Sequence, residues 1–130
     1  MIVVDSNVLA YLYLEHAKFG EAARSLRETD DEWVAPKLWR SEFRSILCKY
    51  LKPGQLSLSQ ALRLQEDAEN YMADGEYEVN SEQVLRLAQA SGCTAYDCEF
   101  VALAQELKVQ LVTTDKEILR AFPKIALPLL

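Results

Sequence analysis

The sequence predicts an α/β fold: a single domain over residues 1–130, with a parallel β-sheet of four to five strands flanked by helices. The main observation is that short apolar runs alternate with segments whose apolar residues recur at helical spacing. Such alternation is typical of a parallel sheet covered on both faces. The chain also has no internal repeat, linker or low-complexity stretch, and half of its residues are apolar. One hydrophobic core is therefore expected for the whole chain.

The elements predicted for the first half of the chain begin with a buried strand. The opening run MIVV is apolar and rich in β-branched residues, as in a strand covered on both faces. Pro36 stands where helices often begin, and the apolar stripe that follows it continues as far as Pro53 and Gly54. The predicted elements are a strand at 1–4, helices at 6–14 and 20–28, a strand at 32–35 and a helix at 37–51.

Capping signals mark the helices of the second half. Ser57 with Gln60, and Thr94 with Asp97, have the spacing of a capping box, and Gly92 can close the helix before it. The predicted elements are a helix at 58–72, a weak strand at 77–79, helices at 81–90 and 94–107, a strand at 109–113, a short helix from 116 and a possible last strand at 125–127.

Charge and composition argue against several classes of protein. A net charge of −6 argues against a simple electrostatic nucleic-acid binder, although residues 37–52 carry a local charge of +4. No apolar run approaches the roughly 18 residues that span a membrane, and the N-terminus lacks the basic region and cleavage site of a secretory signal. The cysteines Cys48, Cys93 and Cys98 lack CxxC spacing, so we expect reduced, core or near-core thiols in a cytoplasmic protein without a membrane partner.

Four acidic residues are expected to meet at one edge of the sheet. Asp5 directly follows the first strand, and Asp115 follows a strand near the C-terminus. Glu42 is placed in the second turn of the helix after the second strand, and Asp97 in the first turn of its own helix. Helices that cover a parallel sheet begin at the carboxyl ends of the strands, where ligands bind. The four carboxylates should therefore converge there.

Each acid also has a purely structural interpretation. Asp5 and Asp115 could cap helices. Asp97 could serve a capping box, and Glu42 could be a solvated helix residue. Together, however, like charges in one partly buried place repel unless a cation neutralises them, and carboxylates with water and substrate phosphate are ligands of Mg²⁺. No histidine or cysteine cluster competes for a metal, and the single histidine, His16, is predicted at the surface, which excludes Ser–His–Asp schemes.

Four stretches of the chain resemble the motifs of PIN domains. They are VVDSNVLAYL at the start, SEFRSIL, TAYDCEFVALAQEL and LVTTDKEIL. Their order and spacing are similar to those of the family over nearly the whole chain, and the likeness is greatest to the small, single-domain toxins of VapBC-like toxin–antitoxin pairs. The third stretch, with its Tyr-Asp pair and Ala-Leu-Ala tail, is the most specific of the four.

The resemblance implies a metal-dependent endoribonuclease that is the toxin component of a toxin–antitoxin pair. It implies that Mg²⁺ or Mn²⁺ is held by the acids that match those of the family, and that metal-activated water hydrolyses RNA phosphodiester bonds. The implied catalytic and metal-binding residues are Asp5, Glu42, Asp97 and Asp115. The implied partners are an RNA substrate, a cognate antitoxin on a separate chain and a second copy of this chain in a homodimer.

Four polar residues border the expected site. Ser6 and Asn7 follow Asp5, while Thr113 and Thr114 precede Asp115. Their hydroxyl and amide groups could orient the carboxylates from behind. They are equally consistent with ordinary strand ends and helix starts.

Other functions remain open at this point. A metal-dependent phosphohydrolase of the haloacid-dehalogenase type would want an acid two residues after Asp5, where Asn7 stands, and no GxxxxGK phosphate loop is present. A receiver domain would want an acid at the end of the second strand, which EWVAP lacks. A non-catalytic PIN-like protein-binding module is the other alternative, against which the intact acids argue.

The basic segment has two faces on a helical wheel of about 100° per residue. Lys37, Arg40 and Arg44 share one face, roughly 160° from Glu42 for both arginines, whereas Lys49 lies on the side of Glu42. The first face can be a solvated outer surface. Alternatively, Lys49 meets a phosphate near the cut while Arg40 and Arg44 hold flanking RNA.

Overall fold

Five short parallel strands form one sheet at the centre of the protein in a computed structural model, which describes residues 1–130. The strands are β1 (Ile2–Val4), β2 (Trp33–Pro36), β3 (Glu76–Tyr77), β4 (Leu111–Thr113) and β5 (Ala126–Pro128). Their order is β3-β2-β1-β4-β5, and every neighbouring pair is parallel. The middle strand is apolar on both faces, and its Val3 pairs with Val34 on one side and Leu111 on the other. The predicted α/β fold class is confirmed.

Seven helices flank this sheet. They are α1 (Ser6–Tyr13), α2 (Gly20–Thr29), α3 (Trp39–Leu51), α4 (Leu58–Met72), α5 (Ser81–Ser91), α6 (Ala95–Leu107) and α7 (Lys116–Ala121). The capping box of Ser57 and Gln60 forms in both directions at the start of α4, and Gly92 ends α5 in the left-handed conformation, with φ of 77°. None of the helices is both long and apolar enough to cross a membrane.

The hydrophobic core lies between the sheet and its helices. Trp39 and Phe43 of α3 are fully buried and meet edge to face, with ring centroids 5.8 Å apart. Helix α6 packs against β1, β2 and β4, and its apolar run from Phe100 to Ala104 is buried throughout. Helix α6 follows α5 and leads into β4, and it runs back along the sheet so that its first turn lies at the carboxyl edge.

The structure corrects three local predictions. Pro36 does not begin a helix: it pairs with Tyr77 as the last residue of β2, where its fixed φ and missing N–H are tolerated. Because α3 therefore starts later, Glu42 lies in its first turn rather than its second. The weak strand predicted at 77–79 is shorter and lies at Glu76–Tyr77, so that it begins one residue earlier and ends two residues earlier.

The cysteines follow the prediction only in part. Cys93 and Cys98 are buried beside Val84, as expected for core thiols, but Cys48 is exposed. The face of α3 that carries Cys48 points to solvent, because the buried residues of that helix are Trp39, Phe43 and Leu47. All three thiols are free.

Candidate active site

The four acids predicted to meet do meet, in one cleft at the carboxyl edge of the sheet. Asp5 directly follows β1, Glu42 and Asp97 stand in the first turns of α3 and α6, and Asp115 is the N-cap of α7. The cleft has a volume of about 220 Å³. Its eight lining residues are Asp5, Ser6, Asn7, Glu42, Ser45, Ile46, Asp97 and Asp115.

The helix-capping interpretation holds for only one of these carboxylates. Asp115 caps α7, because its Oδ1 accepts the backbone N–H groups of Glu117 at 2.8 Å and Ile118 at 3.1 Å. The Asp5 side chain makes no cap bond to α1. Thr94 caps α6 by accepting the N–H of Asp97 at 3.1 Å, but the reciprocal bond to the Asp97 carboxylate does not form. The Asp5 and Asp97 carboxylates are therefore available for another role.

Two hydroxyl groups behind the cleft hold carboxylates in place. Thr113 Oγ1 donates to Asp5 Oδ2 at 2.6 Å and accepts the backbone N–H of Asp115 at 3.0 Å. Ser6 Oγ donates to Glu42 Oε1 at 2.7 Å. Thr113 and Ser6 are themselves buried. Thr113, at the end of β4, is thus bonded to both Asp5 and Asp115. Ser6, at the start of α1, is bonded to Glu42 of α3.

The electrostatics of the cleft disfavour negative charge. Burial is the largest cause that raises the pKa of Asp5 above its usual range, and the charges of Asp97 and Asp115 raise it further. Burial likewise raises the pKa of Glu42, with added repulsion from Asp5 and Asp97. The pKa of Asp97 is raised by burial and then by the charge of Asp115.

No basic side chain neutralises these acids. The ion pairs of the chain use other carboxylates: Asp30, Glu32, Glu69, Glu76, Glu78 and Glu82. Crowded carboxylates without a counter-charge, together with hydroxyl and amide oxygens, are the donor set of a hard divalent cation. No three acidic, histidine or cysteine side chains stand close enough to form a closed metal cage. The donor chemistry fits Mg²⁺ or Mn²⁺ held by few carboxylates, with water completing the coordination, as is usual for Mg²⁺.

The other residues predicted at the site are placed unequally. Asn7 is exposed and lines the cleft, whereas Thr114 is half-buried and lies outside the lining. Ser45 and Ile46 line the cleft but were not among the predicted site residues. Helical spacing is the signal that identifies them, because they follow Glu42 by three and four residues and so share its face of α3.

Arg40, one of the predicted RNA contacts, lies in a network of ion pairs. Its guanidinium donates to both carboxylate oxygens of Glu76, at 2.6 and 2.7 Å, and to Glu69 at 3.0 Å. The same Glu76 accepts the indole N–H of Trp39, and the hydrogen bonds from Arg40 lower the pKa of Glu76. Arg40 is therefore neither a free solvated side chain nor an unpaired cation. A helical wheel cannot show this, because both carboxylates come from other elements.

The remaining basic residues of α3 are more open. Arg44 is exposed and bonds only the Ser41 hydroxyl, at 3.2 Å. Lys49 is exposed and has no ion-pair partner. It lies one helical turn beyond Ser45 and Ile46, on the face that enters the cleft. Of the three basic residues named as RNA contacts, Lys49 is best placed to meet a strand leaving the acids.

Size alone would indicate a different site. A groove of about 600 Å³ lies between the end of α1 and the helices α3 and α4, and it contains none of the four acids. His16 does not line the acidic cleft. Its Nδ1 instead accepts the backbone N–H groups of Lys18 and Phe19 in a local turn. The convergence of carboxylates, rather than cavity volume, identifies the candidate active site.

A known protein family and a curated protein both match nearly the whole chain. The profile of the PIN domain family matches residues 2–124. The curated protein Ribonuclease VapC3 of Pyrobaculum aerophilum is 26% identical over 130 residues, which cover 98% of this chain and 98% of that protein.

Two solved structures share the fold. A crystal structure of a Pyrobaculum aerophilum protein superposes with a TM-score of 0.78 at 22% identity, covering 98% of this chain and 90% of the other. A toxin–antitoxin complex from Klebsiella pneumoniae contains a chain with a TM-score of 0.75 at 16% identity, covering 100% of this chain and 98% of that one. At these identities the likeness concerns the fold.

Proposed function

The chain belongs to the PIN domain family, and on that premise we propose that it is a Mg²⁺- or Mn²⁺-dependent endoribonuclease and the toxin component of a toxin–antitoxin pair. The observation that carries the proposal is the cleft in which Asp5, Glu42, Asp97 and Asp115 converge without a basic partner. The similarity to Ribonuclease VapC3 supports RNA as the substrate class.

The proposed roles of the acids follow from their positions. Asp5, Asp97 and Asp115 would hold the cation directly or through water, and Glu42 would complete the negative cage and orient the attacking water. When bound, the cation supplies neutralising charge for the phosphoryl group and acidifies water at the site. The raised pKa values of three of these acids support this assignment, because a bound cation would stabilise the charged carboxylates that burial, and then their mutual repulsion, disfavour.

The surrounding residues would set the geometry of the site. The Thr113 hydroxyl keeps one oxygen of Asp5 in place and leaves the other for a ligand. Ser6 does the same for Glu42. Asn7 contributes an amide to the wall of the cleft, where it can donate to a phosphate oxygen that the carboxylates would repel. We assign Thr114 no role in the proposed site.

The proposed partners are RNA, an antitoxin protein and a second copy of the chain. Lys49, and more distantly Arg44, would contact phosphates of the RNA strand and position it without reading its bases. The toxin–antitoxin complex from Klebsiella pneumoniae supports an antitoxin partner. Homodimer formation is proposed from family resemblance, and sedimentation at micromolar concentration tests it directly.

Cleavage assays separate this function from its alternatives. Purified protein is incubated with a labelled RNA and with p-nitrophenyl phosphate, each with Mg²⁺, with Mn²⁺ and with EDTA. An endoribonuclease cuts the RNA internally, only with metal, and leaves the small ester intact. Turnover of the small ester alone would favour a phosphohydrolase, and no turnover of either with any metal would favour a protein-binding module.

A further inference from the structure

Tyr96 is the one exposed residue among the tyrosines, phenylalanines and tryptophans of the protein. The other tyrosines and all phenylalanines and tryptophans are buried or half-buried, whereas 63% of Tyr96 is accessible. Its ring pairs with no other aromatic ring, and the tyrosine hydroxyl groups that make hydrogen bonds are those of Tyr13 and Tyr71, not that of Tyr96. Neither core packing nor a hydrogen bond therefore accounts for an aromatic ring at this position.

The position of Tyr96 connects it with the acidic cleft. It immediately precedes Asp97 in the first turn of α6, so the two Cα atoms are about 3.8 Å apart. Because consecutive helical residues are about 100° apart around the axis, the Tyr96 ring lies beside the cleft rather than in it. The residues before it, Thr94 and Ala95, are small and exposed, so they leave the approach to the ring open.

Around the first turns of α6, Tyr96 lies between Asp97 and Glu99. Glu99 follows Tyr96 by three positions and thus shares its face of the helix. Glu99 lines a small pocket with Val84 and Leu85 of α5, so Tyr96 lies on the exposed surface between the acidic cleft and α5.

An acidic site poses a physical problem for RNA binding. Four carboxylates and a net charge of −6 repel phosphates until a cation is bound. Affinity must then come partly from contacts that do not depend on charge. Stacking of a base on an aromatic ring is such a contact, and only an unpaired base presents a free face to stack on.

We propose that Tyr96 is the platform on which an unpaired nucleobase beside the scissile phosphate stacks. This inference depends on the proposed ribonuclease function and makes it more specific. Tyr96 is a positioning residue in this scheme, because it holds the strand while the carboxylates act on the phosphate. Its loss should raise KM and leave kcat nearly unchanged, since the stack exists in the ground state as well as in the transition state.

Substitutions at Tyr96 distinguish stacking from general apolar contact. Tyr96→Phe keeps the ring and should bind like the unmodified protein, because the hydroxyl has no partner. Tyr96→Leu keeps apolar volume but loses the ring, and Tyr96→Ala loses both. For Leu and Ala the dissociation constant should rise about 5- to 150-fold, which corresponds to the loss of one base–aromatic stack. Leu62→Ala, at a similarly exposed apolar residue on α4, is the matched control and should change nothing.

The experiment measures fluorescence anisotropy with a labelled, mixed-sequence RNA in the Asp5→Asn background, which prevents cleavage during binding. For a single-stranded RNA, affinity should fall in the Tyr96→Leu and Tyr96→Ala variants. A blunt duplex of the same sequence should bind weakly, with the same affinity for every residue at position 96. Initial rates of the cleaving protein then separate KM from kcat.

Three results would overturn the proposal. Equal single-strand affinity for Tyr96→Ala and the unmodified protein would do so, and so would equal losses on single strand and duplex. Conversion of a dimer to a monomer by Tyr96→Ala, with RNA affinity unchanged, would assign the ring to a protein interface instead. If the unmodified protein neither binds nor cleaves any RNA with Mg²⁺ or Mn²⁺, the proposed function itself fails, and this inference fails with it.

Discussion

Thr113 Oγ1 donates a 2.6 Å hydrogen bond to Asp5 Oδ2, and this bond joins the end of β4 to the residue that follows β1. The two residues are 108 positions apart in the sequence and meet because β1 and β4 are neighbours in the sheet. Since Thr113 also accepts the backbone N–H of Asp115, one buried hydroxyl aligns two acids of the cleft.

Removing this hydroxyl should therefore weaken both folding and metal binding. Thr113→Val preserves volume but leaves a buried carboxylate oxygen without its donor, which costs about 1–3 kcal/mol of unfolding free energy. The affinity for Mn²⁺ should fall about 10- to 100-fold. Urea unfolding and Mn²⁺ titration measure the two effects. Thr113→Ser should retain both properties, and Thr114→Val should be nearly neutral. Equal behaviour of the valine and serine variants at 113 would contradict the role given to the hydroxyl.

The metal-free protein should become more stable when one acid of the cleft is neutralised. Burial raises the pKa of Asp5 in the folded state, so its charged form is penalised there relative to the unfolded chain. Asp5→Asn removes that penalty while keeping a carbonyl oxygen to accept from Thr113. At neutral pH in EDTA the unfolding free energy should rise by about 0.5–2 kcal/mol.

The pH dependence of this gain has a defined sign. The penalty is absent below the ordinary aspartate pKa of 3.8, where Asp5 is protonated in both states, and is complete above its raised folded pKa. The stability difference between Asp5→Asn and the unmodified protein should thus shrink as the pH falls from neutral towards 3.8. Thermal unfolding in EDTA across this range checks it, and a difference that grows on acidification would contradict it.

Substitution of Arg40 should lower the stability of the fold, whereas substitution of Lys49 should weaken RNA binding. Arg40→Ala leaves Glu76, whose side chain is only 12% exposed, without its partner and should cost about 1 kcal/mol, since Arg40 itself is 39% exposed. It should not alter RNA affinity after correction for folding. Lys49→Ala should leave stability unchanged, weaken RNA binding and lower the salt slope by about one unit or somewhat less. The reverse pattern in anisotropy and urea experiments would refute this assignment.

Much of the fold could be predicted because its signals are local. Strands buried on both faces read as apolar β-branched runs, and the helix of Ser57 and Gln60 was predicted with its bounds because the capping box is a short-range pattern. The sequence predicts a helix start at Pro36, and this is wrong because proline is common both in the first turn of a helix and at the end of a strand. Pairing with Tyr77, a long-range contact, decides between the two.

For the candidate site, too, some features could be predicted from the sequence and others depend on tertiary packing. The four acids could be brought together from topology alone, since strand ends and helix starts share one edge of a parallel sheet. The partners of Asp5 and Arg40 could not be predicted, because Thr113 and Glu76 reach them only through tertiary packing. Whether Asp97 caps its helix or faces a ligand also depended on geometry: the helix is capped by Thr94, and the carboxylate remains available.

The central claim is that the converging carboxylates hold the cation that enables RNA cleavage. The most direct test titrates Mn²⁺ into the unmodified protein and into Asp97→Asn, following RNA cleavage and, separately, metal binding by calorimetry. Glu106→Gln, an exposed acid farther along the same helix, is the matched control. We predict that cleavage by the unmodified protein and by Glu106→Gln rises in parallel with metal occupancy, and that Asp97→Asn loses both while remaining folded. Metal-dependent cleavage by Asp97→Asn at a rate near that of the unmodified protein would contradict the account.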